Sequence, residues 1–388
     1  MLQEKVSLEE IHSLAEKSPL ILDIDPLSIL YLPSDIIVLE DEEKLLKMVD
    51  SPEITLPSKI IIRDVKIQKY PKLRYRLPYF KVIHDPLGPD LNKIIIKKFT
   101  ELKRLLKLQS NVKDNITKEV RVTNPQIVIL YIVDGLSYHD FKTYGNINFL
   151  KKWKYTVDPL LVDCPTLTQW GMKNIIGIGA RALPILLHEL GYKTKIGFTY
   201  WEKEKNQLTK DLFIGFNSEN IYTFVQFSEL EKTLTEIIKN TSNTRRRVYI
   251  QIIRSGFDEL AHHVKINIER DKIMEVILKE FAEIIKLIEN FELSANIYLT
   301  ADHGILWKEN LKDAIVLNIG SGNENPRYLR SYPIVLENCE YVSFFMENGE
   351  IFCLGYPYLK RPLKPLENGT HGGISYQESI VPFISVYI

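Results

Sequence analysis

The chain has 388 residues, 45% of them hydrophobic and 26% charged, a balance that suits a folded globular protein and excludes a disordered one. Lys+Arg and Asp+Glu stand at 50 each, so no global charge draws the chain to nucleic acid. Cys164, Cys339 and Cys353 make no disulfide framework, no apolar run reaches the ~18 residues of a membrane helix, and MLQEKVSLEE lacks a basic-then-apolar leader; a cytoplasmic location and no membrane are expected.

In chain order, Ser7 followed by Glu10 is a capping-box signature and predicts a helix over 7–16. Short strands over 36–40 and 59–63 flank an acid-opened helix over 42–48. Proline and glycine punctuate 71–89, and a helix from Asp90 to about Leu108 follows, with Ile94, Ile95, Phe99, Leu102, Leu105 and Leu106 at helical spacing. The polar stretch 109–124 reads as a linker. These elements predict a small N-terminal α/β accessory domain over 1–118, devoid of chemistry, ahead of a second domain over 119–388.

In the second domain, 127–133 is an apolar strand, 140–153 a helix, and 157–162 extended. Helices follow over 168–178, over 182–190 with Gly191 as its stop, and over 229–239. The run Arg245–Arg247 reads as the solvated lip of a strand over 248–253. A helix over 268–290 carries an apolar stripe through Ile273, Val276, Ile277, Phe281, Ile284, Ile285 and Ile288, and 296–300 is another buried strand. Apolar strands alternating with helices predict an α/β fold, a mostly parallel sheet covered by helices on both faces. Ligands of such sheets bind outside the carboxyl ends of the strands.

That edge is where the chemistry-bearing residues fall. IVILYIVDG ends on Asp134, SGFDELAHH follows the strand over 248–253 and holds Asp258 and His262, IYLTADHG ends on Asp302 and His303, and THGGIS carries His371. Each has a bland reading alone: Asp134 as a helix cap, Asp258 and His262 as a helix-start pair, His371 as a turn histidine. Together, three carboxylates and three imidazoles at strand ends suit two adjacent divalent metals.

The series strand-Asp-Gly, Pro-Thr-x-Thr, Asp-x-x-x-His, strand-Asp-His-Gly and His-Gly-Gly resembles the alkaline phosphatase superfamily. Within it, PTLTQWGM (165–172) and THGGISYQESIVP (370–382) resemble the PglZ family, over about residues 125–388. The resemblance implies an alkaline phosphatase-like catalytic domain with Thr168 as nucleophile. It places Asp134, Thr168, Asp302 and His303 around one metal, and Asp258, His262 and His371 around the second. Zinc fits this mixed donor set, with manganese as the alternative. Thr166 is the rival nucleophile and His263 the rival of His262. Superfamily members often carry a basic residue after Asp-Gly, where this chain has Leu136-Ser137-Tyr138, so the contacts to substrate phosphate stay open around Ser137. Cys164 reads as a small packing residue, because a formylglycine sulfatase motif would need an arginine that is absent here.

The function so implied is a metal-dependent phosphodiesterase acting on a nucleotide or nucleic-acid phosphodiester. Two other readings stand beside it. One is a catalytically silent PglZ-type scaffold among the proteins of a phage-defence or signalling complex. The other is a phosphoglycerate mutase-like phosphotransferase, although such enzymes insert a whole domain after the nucleophile and this chain does not.

Overall fold

The computed structural model describes residues 4–23, 26–32, 37–39, 60–63, 77–82, 90–201, 207–244, 246–262, 269–319, 324–330, 339–347 and 349–388. The predicted helix over 42–48, Arg245 and His263 lie outside the described residues. The chain forms two compact units, Met1–Ile94 and Ile95–Ile388.

The first unit holds an all-parallel sheet of β1 (Glu4–Val6), β2 (Leu20–Asp23), β3 (Ile37–Leu39), β4 (Ile60–Arg63) and β5 (Tyr79–Val82), in the order β1-β5-β2-β4-β3. The predicted capping box is present: Ser7 starts the helix Leu8–Lys17, its hydroxyl accepting from Glu10 N–H while the Glu10 carboxylate accepts from Ser7 N–H.

In the second unit, residues 109–124 are not a linker. Val112, Ile116 and Val120 recur every four residues along the helix Val112–Thr123 and are buried, while Asp114 and Lys118 on its other face are exposed. A stripe only three side chains wide leaves such a helix polar on average. The expected boundary at 118 falls inside this helix, and the compact units divide between Ile94 and Ile95.

Strands β6 (Lys107–Leu108), β7 (Ile127–Val133), β8 (Lys154–Leu161), β9 (Thr194–Thr199), β10 (Ile221–Thr223), β11 (Val248–Arg254) and β12 (Ala295–Ala301) come next. After β12 the chain pairs β13 (Leu306–Trp307) with β19 (Gly369–Thr370) and β14 (Ile315–Val316) with β18 (Tyr358–Leu359). It also builds a small antiparallel sheet from β15 (Tyr328–Leu329), β16 (Tyr341–Met346) and β17 (Gly349–Leu354). The last strand, β20 (Ile380–Tyr387), returns to the main sheet, whose order is β10-β9-β11-β7-β12-β20-β8-β6. Every strand there is parallel to β7 except β20.

All seven residues of β7 and of β12 are buried. Successive strand residues point to opposite faces, so both faces of the sheet are covered, as the apolar runs predict. The fold is thus α/β with a mostly parallel central sheet. The β20 strand escapes a sequence reading because Pro382 interrupts it, and Pro382 faces Pro159 of β8. A proline tolerates this position only where no ladder needs its N–H. The β12 pairing covers just Ile384–Tyr387 and the β6 pairing just Leu160–Leu161, so neither proline breaks a ladder. No described helix is long and apolar enough to cross a membrane.

Candidate metal centre

Strands β12, β7 and β11 end level. Val133 pairs with Ala301 on one side and Arg254 on the other, so Asp134, Asp302 and the segment leading to Asp258 leave the sheet together at its carboxyl edge. The chain then turns sharply at Gly135, where φ is +79° and a Cβ would stand 2.6 Å from the Asp258 nitrogen. Gly135 N–H donates to Asp302 Oδ1 at 3.0 Å, tying the two strand ends together.

The helix Phe257–His262 carries Asp258 and His262 one turn apart, with His262 Nε2 3.3 Å from Asp258 Oδ1. His371 follows β19 and brings its Nε2 to 3.2 Å from both Asp258 Oδ1 and His262 Nε2. His303 Nε2 lies 3.3 Å from Asp302 Oδ2 and 3.8 Å from Asp134 Oδ1, and its ring stacks on His371 at 4.1 Å. Thr168 opens the helix Thr168–Ile176, with Oγ1 3.1 Å from His303 Nε2. This helix approaches closely because Gly171 has no side chain; a Cβ there would stand 2.2 Å from the Asp302 carbonyl oxygen. The structure therefore brings all seven predicted site residues together.

Backbone carbonyls fix the imidazoles. His303 Nδ1 faces the Gly304 carbonyl at 3.1 Å and His371 Nδ1 faces the Thr166 carbonyl at 2.9 Å. A carbonyl only accepts, so each Nδ1 carries the proton and each Nε2 presents a lone pair to the site.

The two threonines differ in what surrounds them. Thr166 is fully buried; its hydroxyl donates to the Gly373 carbonyl at 2.8 Å and accepts from Gly372 N–H at 2.9 Å. Thr168 is half-buried. Ser137 is likewise consumed, capping the helix Tyr138–Tyr144 and donating to the buried Asp140 carboxylate at 2.6 Å. It is fully buried.

The donor set fits divalent cations. Asp134 Oδ1, Asp258 Oδ1 and Asp302 Oδ2 are buried oxygens without a hydrogen-bond partner. Burial, then repulsion from Asp302 and Asp258, drives Asp134 well above the usual carboxylate range. Burial, more than repulsion from Asp258, pushes Asp302 up to about 8. His303 is driven down to about 3 by burial and then by the His371 ring. Burial also raises Asp258, but His371, His262 and His303 outweigh it and hold that carboxyl below its ordinary value. The neighbouring Asp258 carboxylate raises His262. Two buried carboxylates, Asp134 and Asp302, that resist ionising beside a third are what a bound cation reverses. Asp258, His262 and His371 form one group whose donor atoms lie within 4.8 Å of one another, and Asp134, Asp258 and His303 form another. Asp258 belongs to both groups, whereas the resemblance gives it to one.

Several supporting residues lie outside the sequence motifs. The Tyr200 hydroxyl, just past β9, donates to Asp134 Oδ2. Buried Gln109 donates from Nε2 to the carbonyls of Ala301 and Asp302, at 2.9 and 2.7 Å. Arg327 and Glu378, both fully buried, form a bidentate pair at 3.0 and 2.8 Å, and Glu378 Oε1 also accepts from Gly373 N–H. Asn325 Nδ2 donates to the His371 carbonyl at 3.0 Å. The one available signal was for Tyr200, a hydroxyl-bearing residue at a strand end on the ligand edge, but TKIGFT is too mixed to read as a strand.

No protein-family model matches this chain, and no curated protein matches it in sequence. Among solved structures it is similar to murine ectonucleotide pyrophosphatase/phosphodiesterase 5, at 12% identity over 67% of this chain and 87% of that one, with a TM-score of 0.45. Phosphonoacetate hydrolase from Sinorhizobium meliloti, in complex with phosphonoacetate, is 12% identical over 67% and 90%, with a TM-score of 0.42. The C-terminal periplasmic domain of EptC from Escherichia coli, in complex with Zn, is 13% identical over 68% and 73%, with a TM-score of 0.36. Likeness at this level decides neither activity nor substrate.

Proposed function

We propose that this chain is a metal-dependent phosphoesterase, a phosphodiesterase that uses Thr168 as nucleophile. In this reading Asp134, Asp302 and His303 hold one divalent cation beside Thr168, and Asp258, His262 and His371 hold a second; zinc fits, as does manganese. The carrying observation is the half-buried Thr168 hydroxyl at a helix start, 3.1 Å from His303 Nε2, which itself lies 3.3 and 3.8 Å from Asp302 and Asp134 oxygens that have no hydrogen-bond partner. The resemblance of PTLTQWGM and THGGISYQESIVP to the PglZ family supports the same reading. It also suggests the substrate class, a nucleotide or nucleic-acid phosphodiester, and defence-system proteins as partners in the cytoplasm.

Bound cations supply Lewis-acid charge that favours ionisation of a nearby hydroxyl and neutralises phosphoryl oxygens. The chain supplies the rest. His303 Nε2 would give its lone pair to the cation beside Thr168, so the Thr168 hydroxyl gives its proton to water, and its oxygen then forms a bond to phosphorus as the ester oxygen leaves. The N–H groups of Thr168 and Gln169 open their helix and, like those at any helix start, have no carbonyl of a preceding turn to bond; they favour an anionic phosphoryl group there. Water then cleaves the phosphothreonine and returns the hydroxyl.

The test is hydrolysis of bis-p-nitrophenyl phosphate with added zinc or manganese. Wild type should turn over, and Thr168→Ala should lose roughly four orders of magnitude or more. Equal inertness of both proteins, each with two metals bound, would favour the silent scaffold.

A further inference from the structure

Thr168 and His371 border a cavity of about 340 Å³ that the reaction described above does not use. Trp170 enters it from the helix that Thr168 opens, and Tyr328, Met346 and Ile351 enter from the small sheet of β15, β16 and β17. Two side chains of opposite charge complete the lining, Arg330 just past β15 and Glu350 on β17. Neither makes an ion pair among the described residues, although each is long enough to have found one.

Size and lining together restrict the occupant. Small-molecule sites run from ~300 to ~1,000 Å³, so this cavity takes one nucleoside-sized group and not a duplex or a lipid. Aromatic and apolar walls suit a flat ring with two π-faces. Unpaired Arg330 donors and Glu350 acceptors suit a ring edge that carries both acceptors and amino groups, which a nucleobase has and an acyl chain or a simple phenyl ring lacks.

We propose that this cavity seats the nucleoside of a mononucleotide ester whose phosphoryl group lies at Thr168. Trp170 and Tyr328 face the base, and Arg330 and Glu350 hydrogen-bond its edge. The inference rests on the phosphoesterase reading and narrows it: the chain takes free nucleotide esters or a terminal nucleotide in preference to an internal position in a duplex.

Calorimetric titration of zinc-loaded Thr168→Ala protein with AMP, ribose 5-phosphate and inorganic phosphate tests it. AMP should bind roughly tenfold or more tightly than ribose 5-phosphate, since base–aromatic stacking of ordinary strength gives that factor. Adding Trp170→Ala or Arg330→Ala should erase most of the advantage and leave inorganic phosphate binding within about twofold. Arg330 is exposed, so its variant keeps the test decisive even if Trp170→Ala fails to fold. Equal affinity for AMP and ribose 5-phosphate, or an advantage that survives both substitutions, overturns the cavity assignment while leaving the phosphoesterase reading intact. Failure of all three ligands to bind overturns that reading, and this inference with it.

Discussion

Asp134, Asp302 and His303 sit at the ends of two adjacent parallel strands, β7 and β12, and are almost wholly buried; Asp258 and His262 ride a short helix and His371 a turn, and His262 keeps 36% of its side-chain surface exposed. The first half inherits its geometry from the sheet. Seven consecutive residue pairs fix the β7–β12 register, and a one-residue slip would turn every side chain to the other face. The second half has no such ladder. His371 is placed by its Nδ1 donating to the Thr166 carbonyl, by Asn325 donating to its own carbonyl and, two residues on, by Gly373 N–H donating to Glu378, partners from three separate parts of the chain. One half of the site is thus as rigid as the core, and the other is only as rigid as its polar contacts.

That contrast breaks most sharply at Asp302. Asp302→Ala should abolish hydrolysis and lower metal content by about one equivalent, with far-UV circular dichroism unchanged because the β12 ladder does not depend on the carboxylate. Two retained equivalents, measured by elemental analysis, would sink the division of the site into halves. Next in size is Glu378→Gln. It leaves the Arg327 charge buried without a counter-charge and weakens the acceptor for Gly373 N–H, so urea unfolding should show a loss of about 3–5 kcal/mol. The metal lost should be the one held by His371, with the strand half still loaded. If both equivalents remained, His371 would owe its position to something other than this pair.

The same contrast explains what the sequence made legible. The runs 127–133 and 296–300 are strong signals because parallel strands are buried on both faces, and a ligand that closely follows such a run comes with its position attached. The helix Val112–Thr123 was hidden by its polar face, and β20 by Pro382, whose missing N–H matters only once the neighbouring ladders are known. His371 was visible as a residue, but its support was not. The hydrogen bond from its Nδ1 spans 205 residues of sequence, and no local pattern marks Thr166, Asn325 or Glu378 as its holders. Tyr200 beside Asp134 was missed because TKIGFT does not read as a strand.

Thr166 offers the finest test, because it joins the nucleophile segment to the turn that carries His371. Its carbonyl accepts from His371 Nδ1, and its hydroxyl both accepts from Gly372 N–H and donates to the Gly373 carbonyl. Thr166→Val keeps the shape but leaves two buried backbone groups unsatisfied, a cost of about 1–3 kcal/mol. Thr166→Ser keeps the hydroxyl and gives up only a methyl group, so it should regain most of that loss. The decisive readout is where the damage falls. If Thr166 latches the turn to the nucleophile segment, Val should weaken zinc at the His371 group, seen by calorimetric titration, and spare the strand half, and Ser should restore it. A general loss of stability that Ser fails to repair, with zinc affinity unchanged at both groups, would make Thr166 ordinary core and leave His371 to be held by Asn325 and Glu378 alone.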